Sequence, residues 1–332
     1  MANSIQYSIL DISPIPQGFT AGDALRNSLD VAQHAEKWGY TRYWVAEHHN
    51  MTGNASSATA VLIGYIAGGT SRIKVGSGGI MLPNHAPLVI AEQFGTLESL
   101  YPGRIELGLG RAPGTDQITA RALRRDLLGS DDRFPQDVRE LQHYFGPIQE
   151  GQSVKAIPGA DTNVPIWILG SSLYGAQLAA HFGLPYAFAA HFAPEQLLEA
   201  MSIYRELFKP SAQQATPYSA FVMNVVAADT DEEAQHLYTS LQQHFIRMRR
   251  NTRGQLPPPF DDIDSFCEPH EKIAVTHMLQ CSLVGSLETI KKGMRTWLDR
   301  TGANEILFTG QIFDHQARLK SFEIAAQAAQ SI

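Results

Sequence analysis

Residues 42–49 read Arg42-Tyr43-Trp44-Val45-Ala46-Glu47-His48-His49. Tyr43, Trp44 and Val45 give the aromatic and β-branched composition of a buried strand, which then ends in a carboxylate and two imidazoles. A parallel α/β barrel delivers the C-terminal ends of all its strands to one face, and its chemistry gathers there. The same unit recurs on both sides of this stretch. The pattern predicts strands over Ile5–Asp11, Arg42–Ala46, Ile73–Gly76, Ile105–Gly108, Ile166–Leu169, Tyr186–Ala189, Ala220–Ala227 and Glu305–Phe308.

Segments of helical period lie between them, over Ala24–Trp38, Ser57–Gly68, Pro87–Leu100, Tyr174–Phe182, Pro194–Phe208, Glu232–Arg249 and Leu287–Arg300. Asp231 and Ser286 are suited to cap the last two, and Pro87 and Pro194 to open a first turn. Gly39, Gly183 and Gly302 are suited to left-handed C-terminal caps. Strands alternating with helices imply a parallel sheet, and closing eight of them leaves no unpaired edge. The expected fold is a single (β/α)8 TIM barrel spanning residues 1–332. It carries insertions over residues 112–163, after strand 4, and 251–283, near the seventh helix. Gly254, Pro257, Pro258 and Pro259 make the second a candidate lid or an ordinary surface loop.

The residues of unusual chemistry follow strands. Glu47, His48 and His49 follow the second, Ser77, Gly78 and Gly79 the third, and Gly110 and Arg111 the fourth. Gly170, Ser171 and Ser172 follow the fifth, and His191 the sixth. Successive residues of an extended chain point to opposite faces, so Glu47, His48 and His49 cannot easily share one metal ion and none is expected. One histidine should face the barrel mouth, where a near-neutral pKa suits proton transfer, while Glu47 orients a neighbour or pairs with an arginine. Small residues at 76–79 permit close approach of a flat ring, or form a plain glycine turn. Gly108-Leu109-Gly110-Arg111-Ala112-Pro113 has proline at the third glycine position of a dinucleotide fingerprint, so that reading fails. Arg111 then stands as a cation for a phosphate or a structural salt bridge. Gly170-Ser171-Ser172, opening a helix, offers a phosphate seat or ordinary capping.

Bulk properties narrow the classes. With 33 acidic against 26 basic residues, the formal charge of −7 gives no general attraction to nucleic acid or anionic membranes. Arg247, Arg249, Arg250 and Arg253 close a helix whose dipole they complement, or mark a ligand site. Only Cys267 and Cys281 are present, which fits a reducing cytoplasm, and neither a signal peptide nor a membrane span is expected. A 44% hydrophobic composition suffices for a large core.

Four segments together, Trp44-Val45-Ala46-Glu47-His48-His49-Asn50, Gly76-Ser77-Gly78-Gly79, Leu107-Gly108-Leu109-Gly110-Arg111 and Leu169-Gly170-Ser171-Ser172, resemble the bacterial luciferase-like flavin monooxygenases. Gly183-Leu184-Pro185 and Gln311-Ile312-Phe313-Asp314-His315 extend the likeness over nearly the whole chain. The resemblance implies reduced FMN held with its phosphate near Arg111, Ser171 and Ser172 and its ring near Ser77 and Gly78, with a cis peptide at Ser77–Gly78. Gly110 and Gly170 fall in the same cofactor segments, although light-emitting relatives carry a cysteine and an acidic residue there. His48, with Glu47 and His49 beside it, becomes the proton-managing group while O2 reacts at the flavin C4a position and an oxygen atom passes to a small organic substrate. It further implies a homodimer and a separate NAD(P)H:flavin reductase. F420-dependent hydride transfer and non-catalytic flavin binding are the alternatives.

Overall fold

The computed structural model describes residues 5–112, 114–123 and 133–332. Pro113, residues 124–132 of the first insertion and the first four residues lie outside them. The chain begins β1 (Gln6–Asp11), α1 (Ala21–Trp38), β2 (Arg42–Val45), α2 (Thr59–Gly68), β3 (Lys74–Met81), α3 (Pro87–Leu100) and β4 (Ile105–Gly110). Between β4 and β5, in the segment read from the sequence as an insertion, lie α4 (Gln117–Leu123) and α5 (Phe134–Phe145). Then come β5 (Ile166–Gly170), α6 (Leu173–Phe182), β6 (Tyr186–Phe188), α7 (Leu197–Leu207), β7 (Ser219–Ala227) and α8 (Asp231–Arg249). Two short helices, α9 (Ile263–Phe266) and α10 (Pro269–Met278), precede β8 (Ser282–Gly285), α11 (Leu287–Thr301), β9 (Glu305–Thr309) and α12 (His315–Gln330).

Every strand pairing is parallel. β1 to β7 and β9 close a ring, with β6 on β7 and β9 between β7 and β1. The expected (β/α)8 barrel is therefore present, and all eight predicted strands form its wall. The strand over Ser282–Gly285 was not expected. It is only four residues long and pairs with β7 alone, in register Asn224↔Ser282 to Ala227↔Gly285. β7 thus forks, giving its lower half to β9 and its upper half to β8. The glycine stretch after Val75 also departs from expectation, since β3 runs on to Met81 across a register shift between Ser77 and Ile80. The cis peptide lies at Gly78–Gly79, not Ser77–Gly78. Ser77 is still in strand register with Leu107, so the departure from regular pairing comes after it.

Helix ends follow backbone chemistry closely. Gly39, Gly183 and Gly302 cap their helices at φ of 83°, 62° and 59°, conformations that cost a side chain. Three N-termini differ from the sequence reading: Ser286 stands at the N-cap position of α11, but its side chain makes no cap bond. Thr230, not Asp231, caps α8 by accepting from the Glu233 N–H. Asp231 is used across space instead, accepting from the Ser286 N–H at 2.6 Å and the Thr289 hydroxyl at 3.1 Å, which secures α11. Pro194 precedes α7, which starts at Leu197.

Side chains inside the ring divide by height. Leu10, Trp44, Trp167, Ala187, Ala220, Val222 and Leu307 form the apolar interior. Below them Arg42 is buried between two glutamates, at 3.0 Å from Glu106 and 3.0 Å from Glu305, with its guanidinium 4.6 Å from the Trp167 ring centroid. Burial opposes the Arg42 charge, but Glu305 and Glu106 outweigh it and raise its pKa. Arg42→Met leaves Glu305 buried without a cation and Glu106 with only Lys74, at 3.3 Å, and removing one partner of such a cluster costs about 3–5 kcal/mol. Urea unfolding should show that loss, and an unchanged midpoint would contradict the role given to Arg42.

Candidate functional site

Strand alternation sorts the residues at the end of β2. Trp44 and Ala46 belong to the barrel interior, while Tyr43 and Val45 pack outward under the helices. His48 continues the inward series and lines an open chamber of about 990 Å³ at the barrel mouth. Glu47 and His49 continue the outward series and are not among its lining residues.

The Glu47 carboxylate is buried and surrounded by donors. It accepts from His49 Nε2 at 2.7 Å, His85 Nε2 at 2.9 Å and the Met81 N–H at 3.0 Å. Burial alone would raise its pKa, but the two imidazoles and the amide outweigh it and bring the value to about 2. Glu47 thus orients histidines rather than pairing with an arginine. The ligand atoms of Glu47, His49 and His85 lie within 4.8 Å of one another, so carboxylate and imidazoles do converge, without His48. His85 was not singled out from the sequence. It lies far from the motif, in the turn between β3 and α3, and only the fold brings it to Glu47.

His48 carries a buried Nδ1 with no hydrogen-bond partner. Its pKa is lowered, chiefly by burial and then by His49 and Arg253, against the pull of Glu47. His191, which shares the chamber lining with His48, also has an unpartnered buried Nδ1, and burial, followed by the nearby His48, drives its pKa down to about 3. Asn224 fixes the His191 backbone by donating to its carbonyl at 2.8 Å. Both imidazoles are therefore neutral near pH 7.

The far wall is made of backbone, hydroxyls and one cation. Gly78, Gly79, Gly110, Arg111, Gly170, Ser171 and Ser172 all line the chamber. Ser77 does not; it is buried and its hydroxyl donates to the Gly108 carbonyl at 2.8 Å. A Cβ at Gly78 would stand 2.5 Å from Leu10, and one at Gly110 would stand 2.8 Å from the Met81 sulfur, so a smooth wall requires glycine there. Ser172 occupies the N-cap position of α6, yet its side chain makes no cap bond. Ser172 and the first turn of α6, its positive end, both line the chamber. Arg111 lies 4.1 Å over the Tyr174 ring, and no carboxylate among the described residues pairs with it. Among the described residues, none of those lining the chamber is acidic.

A closed parallel barrel whose mouth opens into a chamber walled by small-residue strand ends and an inward histidine defines an α/β-barrel enzyme. The chain belongs to the luciferase-like monooxygenase family, whose model matches residues 6–305, and it is an oxidoreductase. It is 54% identical over 329 residues to a "Luciferase-like monooxygenase" of Escherichia coli (strain K12), covering 99% of this chain and 98% of that protein. It is 38% identical over 237 residues to the N-acetyl-S-alkylcysteine monooxygenase of Bacillus subtilis (strain 168), covering 70% of each. The crystal structure of apo-MsnO8 matches with a TM-score of 0.88 and 34% identity, covering 98% of each chain.

Glu47→Gln retains shape but removes the charge that holds two histidines and an amide. Hydrogen bonds to a charged group are worth about 1.5–3 kcal/mol, so stability at pH 7 should fall by about that much. Because the Glu47 pKa is depressed to about 2, its contribution is full above the ordinary glutamate range and is lost as pH falls toward that value. Unfolding curves between pH 7 and pH 3 should therefore converge for the two proteins, and parallel curves would argue against this role.

Proposed function

We propose that the mouth chamber binds reduced FMN and that the enzyme uses it with O2 to oxygenate a small organic substrate. The observation that carries this reading is one chamber with an anion seat at one end and an unpartnered neutral imidazole at the other. Ser171, Ser172, the first turn of α6 and Arg111 would hold the phosphate, by charge-assisted and backbone hydrogen bonds. Gly110 and Gly170 keep the approach to that seat free of side chains. Gly78 and Gly79 would let the planar ring lie against backbone, and the absence of acidic lining suits an anionic ligand.

Reduced FMN, when bound, supplies the two electrons that allow one atom of O2 to enter the substrate and the other to leave as water. His48 holds or moves a proton at the chamber's inner end, where its lowered pKa keeps it available as an acceptor near neutral pH. Glu47 and His49 support it through the chain, by fixing the turn in which His48 sits. The loop after β2 and the turn near Gly254 screen the mouth from water. A separate NAD(P)H:flavin reductase would deliver the reduced cofactor.

We place the protein in the cytoplasm; no described helix is long and apolar enough to cross a membrane. We further propose a homodimer through α2 and α3. α2 contains no charged residue, and Val61 and Val89 are 75% and 44% exposed. Light scattering should report two 36.5 kDa chains per particle, and Val61→Glu should shift it to one. A monomeric wild type would end the proposal.

His48→Ala should leave FMN affinity within about twofold while lowering product formed per flavin oxidised by about a hundredfold, the usual weight of a positioned proton carrier. Arg111→Met should act oppositely, weakening FMN binding at least about tenfold, or ~1.4 kcal/mol. Anaerobic fluorescence titration with FMN and F420 and product analysis after oxygen admission measure both. Unaltered product yield in His48→Ala would reject the assignment, and preference for F420 would redirect it to hydride transfer.

A further inference from the structure

A second chamber of about 870 Å³ adjoins the first and shares His48, His191, Ile12 and Phe192 with it. Those residues form a partition between the two spaces. Its other walls are the loop after β2, the C-terminal half of α8 and the turn at Arg253 and Gly254. Met51, Phe245 and Met248 make its surface apolar; among the described residues no acidic one lines it, and Arg253 is its one lysine or arginine.

Arg253 differs from the other arginines of its cluster. Arg250 pairs with Glu271 at 2.6 Å, Arg249 donates to the Met278 sulfur, and Arg247 lies over Phe266. These three face α9 and α10. Arg253 lines the chamber and has no hydrogen bond or ion pair with any described residue. Its charge reaches inward: the His244 pKa falls to about 4, by burial first and then by Arg253, Arg247 and His48. The space therefore holds neutral imidazoles facing one unspent guanidinium.

The turn that carries Arg253 is held in place by main chain. The Ile15 N–H donates to Gly53 at 2.8 Å, Leu256 to Ile15 at 2.9 Å and Gln17 to Leu256 at 2.8 Å. Gly53 is needed for this approach, because a Cβ there would stand 2.3 Å from the Gly254 carbonyl oxygen. A Cβ at Gly254 itself meets nothing within 4 Å.

We propose that this second chamber is the substrate site and that it takes a small carboxylic acid with an apolar body. The carboxylate pairs with Arg253 at the rim, the body lies along Met51, Phe245 and Met248, and the atom to be oxygenated meets the partition at His48 and His191. A guanidinium matches the two oxygens of a carboxylate as a fork. With a single cation and no protonated imidazole, the chamber suits a singly charged head rather than a phosphate dianion. This inference rests on the flavin occupying the first chamber.

Calorimetric titration of FMN-loaded protein with matched ligands tests it. The probes are 4-phenylbutyrate and N-acetyl-S-benzylcysteine, each with its primary amide, and 2-phenylethyl phosphate. Each acid should bind at least about tenfold tighter than its amide. Arg253→Met should abolish that preference without changing amide affinity, and Arg253→Lys should keep part of it. FMN affinity should be the same in all three proteins. Equal binding of acid and amide, an unchanged preference in Arg253→Met, tighter binding of the phosphate, or no acid bound more tightly than about 1 mM each overturns the proposal. Failure of the wild type to bind FMN would instead overturn the flavin reading and this inference with it.

Discussion

A closed parallel barrel has to fill its own interior, and here the filling at the base is a buried arginine held by two glutamates and two indoles. Arg42, Glu106 and Glu305 come from β2, β4 and β9, so the charges tie together strands that do not pair with one another. Trp44 donates to Glu106 at 2.9 Å and meets Trp167 edge to face at 5.0 Å between ring centroids. Large rings and charges occupy the lower layers completely. Higher up the residues shrink, to Ala46, Ala187 and Ala189, and the unfilled volume becomes the mouth chamber. The depth of the site is a consequence of where the floor ends.

The Glu47-His48-His49 motif is split by the two-residue period of the strand that delivers it. The histidine that faces the chamber has no partner for its buried Nδ1, while its two neighbours bond each other on the other side, where Glu47 also accepts from His85. Removing the carboxylate from the chamber matters electrostatically. Placed inside, Glu47 would repel an anionic ligand; from outside it still pulls the His48 pKa upward, but burial, His49 and Arg253 outweigh it.

Those features carried by period or by a single residue's conformational limits were legible in the sequence: eight wall strands, three glycine caps, the failure of the dinucleotide fingerprint, and the inward position of one histidine. Two helices with local signals, α5 and α12, were missed as well; the other misses depend on contacts between distant segments. His85 reaches Glu47 across 38 residues. Asp231 looks like a local cap, yet it serves a helix 55 residues later, and no local pattern distinguishes the two uses. The four-residue β8 is too short for a periodic signal and is defined by its single neighbour. Ser77, expected at the cofactor, turns its hydroxyl into the wall, because a run of glycines hides the strand's alternation.

Two glycines at the roof of the second chamber have opposite tolerances although their backbones touch. Position 53 is closed to any side chain by the carbonyl oxygen opposite, whereas position 254 opens onto free space. The roof is therefore hinged, in the sense of variation rather than motion, about one invariant contact. A lineage or an engineer can enlarge residue 254 to reshape the rim beside Arg253 while the anchor, the floor and the wall of the first chamber keep their geometry.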